Sequence, residues 1–472
     1  MSTEAVNPAS GHPDGPSGDN GASSPGAPAK PTKSRVLQNW DKEDPAKWQP
    51  KRAWLTLWVT TFSLIIGFCV WYLVSAVAPK LNDVGFDLSS SQLYWLVAVP
   101  GLSGGIIRLI YMFLPPLVGT RNLVGFTSLL FLIPMLGWFW AIQNPQTPYA
   151  WLVVLAALTG IGGGCFSGYM PSTGYFFPKR LSGTALGLQA GIGNFGVSLI
   201  QFLGPWVMGF GLLGLSMFAP QASSGGQEMR VYNAAIVLVP WTILAAILAF
   251  VFLKDVPVKA NFRQQLDIFG NKNTWLLTMI YIMTFGAFAG FAAQLALIIN
   301  DVFGKDSAFA TSGDFAVEAL PVGASFAFLA PLIGSLVRAL WGPLCDKYGG
   351  AIWTFIGGVG MTISCAVAAF FLKPSSPSQF WPFLIAMLVL FFFTGLGNAG
   401  TFKQMPMILP ARQAGGVIGW TSAIASFGPF FVGVALTLTS AQSFFVGATI
   451  YFVICTILVW IFYARPRAPY PG

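Results

Sequence analysis

The amino-acid sequence predicts an all-α integral membrane protein whose helices cross the bilayer about twelve times. Three observations carry this reading. Of 472 residues, 55% are hydrophobic and 9% charged, against roughly 25% charged in soluble domains. Apolar runs of about 20 residues, the length that crosses a hydrocarbon core of about 30 Å, recur from Trp54 to Phe462. The lysines and arginines are dispersed over the ends of these runs, so the net charge of +9 reads as a topology signal and not as a nucleic-acid surface.

Apolar length and Gly, Pro, Asn or Asp interruptions place spans near 53–78, 92–112, 122–143, 148–175, 183–211, 231–253, 274–299, 319–341, 351–372, 379–402, 413–437 and 442–463. Residues 1–40, rich in Pro, Gly, Ser and Ala, cannot bury a core and are expected to be a disordered tail. That tail has no apolar h-region, so the first hydrophobic run is expected to be a permanent span. With a cytoplasmic N-terminus, the internal loops and C-terminal tail hold Arg121, Lys179, Arg180, Lys254, Lys259, Arg263, Lys272, Lys347, Arg412, Arg465 and Arg467. The external loops then hold only Lys80, Arg230, Lys305 and Lys373. This asymmetry puts both termini in the cytoplasm.

The longest internal loop divides the chain into six-helix bundles at 41–253 and 274–463, joined by a cytoplasmic linker at 254–273 and followed by a short tail at 464–472. An internal repeat supports the division. Gly160 to Pro171 at the end of span four resembles Gly395 to Pro406 at the end of span ten, and Gly104 to Arg108 in span two matches Gly334 to Arg338 in span eight. Two copies of a six-helix unit with binding at the midplane between them is transporter architecture.

Arg108 and Arg338 are the most informative residues. Each lies well inside an apolar span, where a charge costs roughly 2.5–3.5 kcal/mol. Either arginine has an alternative reading, in which it snorkels to an interface or pairs with a buried acid. Among the sixteen acidic residues, however, only Asp346 falls near a span interior, and it is expected at a helix end. Two buried cations without acidic partners call for a mobile anion. Guanidinium presents a planar fork of donors that matches a planar oxyanion and stays charged at physiological pH, although two forks do not choose among small oxyanions.

The glycines of spans four, five, ten and eleven, among them Gly162, Gly163, Gly164, Gly187, Gly191, Gly193, Gly196, Gly419 and Gly428, read as close helix packing, as places where helices slide and bend during gating, or as both. Phe166, Asn194, Tyr281, Phe285 and Gln294 are candidates to line a cavity, each with core packing as the plain alternative. Lys403 in span ten snorkels or attracts anions. The five cysteines, Cys69, Cys165, Cys345, Cys365 and Cys455, fit neither a disulfide framework nor a metal site and read as small core residues. His12 is the only histidine. No cofactor, metal site or enzymatic constellation is expected.

The segment Phe176 to Gly196, with its Phe-Phe-Pro-Lys start and glycine-rich continuation, resembles the nitrate signature of the NarK-type nitrate/nitrite porters of the major facilitator superfamily. Trp40-x3-Asp44-Pro-x2-Trp48 and the pair Arg108 and Arg338 resemble the same family, and the likeness runs from about Trp40 to the last span. The resemblance implies the superfamily fold, twelve helices in two pseudo-symmetric six-helix bundles. It further implies that Arg108 and Arg338 clamp substrate, that Asn194 and Phe166 line the cavity, and that Tyr281 in Tyr281-x3-Phe285 contacts the anion. Nitrate and nitrite are the implied substrates, and a monomer in a bacterial inner membrane the implied setting.

An inside-negative potential opposes anion uptake by about 2.3 kcal/mol per charge per 100 mV, so transport must be coupled. Proton coupling usually shows an intramembrane carboxylate or histidine. With neither present, exchange of nitrate for nitrite is favoured. Nitrate/proton symport stands as the alternative, and an anion receptor or sensor without turnover as a further one.

Overall fold

The computed structural model describes residues 35–211, 219–223, 226, 228–257, 266–305, 307–312, 320–470 and 472. Most of the expected tail, and Lys259 and Arg263 of the linker, lie outside the described residues. Twelve helical segments are long and apolar enough to cross a membrane: Pro50–Val84, Ser90–Tyr111, Thr120–Ile142, Tyr149–Gly174, Lys179–Val207, Asn233–Phe252, Lys272–Thr311, Gly323–Leu340, Gly350–Phe370, Pro377–Ile408, Gln413–Leu438 and Ala441–Ala464. They are called spans one to twelve below. The described strands are a two-residue antiparallel pair, Gln221–Ala222 with Glu228–Met229, between spans five and six.

Three spans outrun the sequence expectation, because the helix continues past the polar residue at which an apolar run stops. Span one carries on beyond Lys80, whose ammonium pairs with Asp83 at 3.1 Å. Span seven passes Asn300, whose amide oxygen accepts the Gly323 amide at 2.7 Å. Span ten passes Lys403, which is ion-paired to Asp346 on the short helix Gly342–Tyr348. The Lys403 charge is therefore already balanced at the helix end. Span five begins at Lys179, directly after Pro178, earlier than the apolar pattern indicates.

The glycines reserved by the repeat are where helices touch. A Cβ on Gly104 would stand 3.4 Å from the Gly160 carbonyl, joining spans two and four. The equivalent pair in the second half is Gly334 and Gly395, where a Cβ on Gly395 would collide with the Gly334 carbonyl. Gly162 and Gly196 press on the backbone of span one, Gly193 on Leu64 and Gly164 on Ile107. All five cysteines are buried and free. Between the halves, span two packs on span eleven and span five on span eight.

Residues 36–48, placed partly in the tail by composition, are bound to the body. Leu37 N–H donates to Asp255 O at 2.9 Å. Trp40 and Trp48 indole N–H groups donate to the Tyr175 and Phe176 carbonyls at 3.4 and 2.9 Å. These bonds satisfy carbonyls left open where span four ends, and the composition that suggests disorder stops short of the tryptophans.

Close packing at Gly160 and Gly395 makes a test. Gly160→Leu or Gly395→Leu should lower the melting temperature of the purified protein, each costing about 1–3 kcal/mol as an overpacked core does. Gly187→Ala, at a position with nothing within 4 Å of a new Cβ, should be neutral within about 0.5 kcal/mol.

Candidate functional site

Arg108 is fully buried in span two, and Arg338 is 3% exposed in span eight. Arg108 donates from Nε to the Gly163 carbonyl at 2.8 Å and from Nη1 to the Ser422 carbonyl at 2.9 Å. Its Nη2 has no hydrogen-bond partner among the described residues. Arg338 Nη2 donates to the Tyr281 hydroxyl at 3.2 Å. With the Asn194 amide turned so that its oxygen faces Arg338, that oxygen accepts from Nη1 at 3.0 Å and the amide nitrogen donates to Ala190 O at 3.2 Å. Among the described residues, no carboxylate forms a salt bridge with either arginine.

Aromatic rings do part of the work that water does elsewhere. The Arg108 guanidinium carbon lies 4.7 Å from the Phe166 ring centroid, 5.2 Å from Phe285 and 5.3 Å from Trp71. That of Arg338 lies 5.7 Å from Phe285 and 5.4 Å from Phe402. Such contacts contribute about 2 kcal/mol each when desolvated. Phe285 thus stands against both cations at once. Its ring is nearly parallel to Tyr281, at 5.4 Å and 11°, and to Phe166, at 6.4 Å and 23°.

Two helix irregularities set these rings. Span four breaks at Cys165, between Tyr149–Gly164 and Phe166–Gly174. Span seven holds a π-helical turn at Ile282–Gly286, immediately after Tyr281; such turns are frequent at functional sites. Gly428 of span eleven packs against the backbone of Gly286 within this turn, and Gly191 of span five against the backbone of Ala339, next to Arg338. Gly163 packs under the Trp71 ring while its carbonyl holds Arg108.

Polar contacts between the halves are found toward the end where span one finishes. The Tyr72 hydroxyl donates to Ala289 O at 2.9 Å, Gln201 Nε2 to Ala292 O at 2.7 Å and Gln294 Nε2 to Tyr94 O at 3.3 Å. Beyond them Ser90 donates to Asp301 at 3.4 Å, and Lys305 approaches Asp83 at 3.9 Å. Gln294 therefore serves this closure and does not join the arginines.

Arg108, Arg338, Tyr281, Asn194, Phe166 and Phe285 all converge on one site. Among the predicted glycines, Gly163, Gly191 and Gly428 adjoin it, Gly162, Gly164, Gly193 and Gly196 pack helices around it, Gly419 faces Met112, and Gly187 touches nothing. Sequence reasoning missed Trp71, Phe402 and Ser422. Phe402 lay within the repeated segment ending at Pro406, a usable signal; Ser422 acts through its carbonyl, which any residue carries.

The fold is a bundle of twelve candidate membrane-crossing helices with two guanidinium groups buried between its halves, neither in a salt bridge among the described residues, and its repeated six-helix unit is the architecture of a membrane transporter. The Major Facilitator Superfamily model matches residues 57–339. The chain is 50% identical over 451 residues to the "Probable nitrate/nitrite antiporter NarK2" of Thermus thermophilus, covering 94% of this chain and 99% of that protein. It is 32% identical over 468 residues to "Nitrate/nitrite transporter NarU" of Escherichia coli strain K12, covering 92% and 97%. A "Nitrite extrusion protein" of Bacillus subtilis is 26% identical over 384 residues, covering 80% and 86%. The chain belongs to the major facilitator superfamily, among its NarK-type porters.

The Asn194–Arg338 contact gives a charge test. Asn194→Asp would set a carboxylate against the guanidinium and supply the counter-charge internally, so it should abolish the stabilisation that nitrate gives the wild-type protein in a thermal-shift titration. Asn194→Ser, which is neutral, should retain part of it.

Proposed function

We propose that this protein exchanges nitrate for nitrite across a bacterial inner membrane by alternating access, with Arg108 and Arg338 clamping the anion between the two halves. The observation that carries the reading is the pair of buried guanidinium groups, one per half, with no carboxylate on either among the described residues and with Arg108 Nη2 lacking any partner. A bound oxyanion would complete that arm, offset one of the two positive charges and let the halves approach. An empty site leaves two cations facing one another, which opposes the same closure. Exchange follows from this asymmetry, since the halves rock readily only when loaded. The printed names of the full-length relatives support nitrate and nitrite as the pair exchanged.

The halves divide in the linker 254–273, and both termini face the cytoplasm, as the lysine and arginine distribution supports. The protein works as a monomer surrounded by lipid. Phe285, in contact with both guanidinium groups, occupies the gap the anion enters and turns aside on binding. Tyr281 and Asn194 hold Arg338 in register while it does so.

The test is uptake of labelled nitrate into proteoliposomes loaded with nitrite, nitrate or buffer alone. Uptake only with an internal anion, and its loss in Arg108→Lys and Arg338→Lys, is the expected result. Equal uptake into buffer-loaded vesicles driven by an acid exterior would replace exchange by proton symport; binding without movement of label would make the protein a receptor.

A further inference from the structure

Span ten carries an asparagine whose side chain has no hydrogen-bond partner among the described residues. Asn398 is fully buried, and both its amide nitrogen and its amide oxygen lack any hydrogen-bond partner. Inside a lipid-embedded bundle no bulk water satisfies such a group, and a buried polar atom left unpaired is costly. Either its partner arrives from outside the protein, or the residue is a liability with no return.

Its place in the helix says which partner. Phe391, Asn398, Phe402 and Met405 recur along span ten at spacings that put them on one helical stripe. Phe391 packs on Phe288 of span seven at 5.6 Å, Phe402 on Tyr281 at 6.0 Å, and Met405 accepts the Thr421 hydroxyl of span eleven at 3.6 Å. The stripe therefore faces the arginine site, and Asn398 stands one helical turn from Phe402, whose ring contacts Arg338. The internal repeat sharpens this. The alignment that pairs Gly160 with Gly395 pairs Gly163 with Asn398. In the first half that position holds Arg108 through its carbonyl. In the second half, Arg338 is held by Tyr281 and Asn194, which leaves the Asn398 amide free.

We propose that Asn398 is a specificity-determining residue whose amide N–H donates to the third oxygen of nitrate. This inference rests on the nitrate/nitrite reading above. Nitrate presents three equivalent oxygens, whereas nitrite presents two and a nitrogen lone pair. Two guanidinium groups on opposite sides satisfy two oxygens in either anion. The remaining nitrate oxygen requires a donor that neither arginine supplies, and the amide supplies it. Nitrite at the same site leaves the amide as unpaired as it is in the empty protein. Asn398 therefore strengthens nitrate binding and contributes little to nitrite, which separates the two anions that the arginines treat alike.

The experiment measures nitrate and nitrite dissociation constants by titration calorimetry on the purified full-length protein, with Asn398→Leu and Asn398→Ala, alongside the melting temperature of each without anion. Nitrate affinity should fall about ten- to a hundredfold, the range of one hydrogen bond to a charged group, with nitrite affinity changing far less. The melting temperature of Asn398→Leu without anion should hold or rise, since an unpartnered amide gives way to an apolar group of similar size. A parallel fall in both affinities, no change in either, or failure of both variants to fold would make the amide structural or idle and overturn the proposal. Wild-type protein that binds neither anion would instead overturn the nitrate/nitrite reading itself, and that result is separable because it needs no variant.

Discussion

Two guanidinium groups held in a medium of low dielectric, with no carboxylate paired to either among the described residues, are the constraint from which the rest of this structure follows. A single intramembrane arginine is costly, and two facing each other add mutual repulsion. The protein meets this in ways that keep the site open to an anion. Main-chain carbonyls of Gly163 and Ser422, the Tyr281 hydroxyl and the Asn194 amide take up guanidinium N–H groups without contributing negative charge. The rings of Trp71, Phe166, Phe285 and Phe402 offer their electron-rich faces. Each partner is neutral, so both positive charges are left for a ligand to offset.

That arrangement dictates the surrounding architecture. Arg108 can reach Ser422 only because spans two and eleven come together, and they do so where Gly101 meets the backbone of Pro429 and Phe430 and Gly105 meets the Phe427 ring. Arg338 can reach Asn194 only because span five lies on span eight, with Gly191 against the Ala339 backbone. Glycines here are spacing devices, and the distance they set is the distance an arginine side chain needs to cross between halves. The hydrogen bonds that close one end of the bundle, from Tyr72, Gln201 and Gln294 to main-chain carbonyls opposite, again join the halves without using charge in the core. Ion pairs between the halves, as at Asp83 and Lys305, stand at the rim, where water screens them.

Helix irregularity and chemistry coincide. Phe166 follows the break at Cys165 and Phe285 sits in the π-helical turn of span seven. A regular helix would give neighbouring residues fixed angular spacing; an inserted residue re-aims one ring without moving the helix. Unpartnered polar atoms at Arg108 Nη2 and on Asn398 lie in this same region. At this one site, helix irregularity and unpartnered polar atoms occur side by side.

Much of this was legible in the chain alone. Hydropathy determined twelve spans, because each lipid crossing needs about 20 predominantly apolar helical residues. The repeat of Gly104 to Arg108 in Gly334 to Arg338 identified both cations and predicted that they are equivalent, because duplicated helices bury duplicated positions. What tertiary structure alone decided is which neutral groups hold those cations. Ser422 and Gly163 act through carbonyls that leave no mark in sequence, Trp71 and Phe402 look like any other aromatic core residue, and the π-helical turn in span seven has no apolar periodicity to announce it. The isolation of Asn398 is of the same kind. An asparagine in a sequence is only a polar letter; whether it has a partner depends on which helices surround it, and that is settled by packing across a distance the linear chain does not encode.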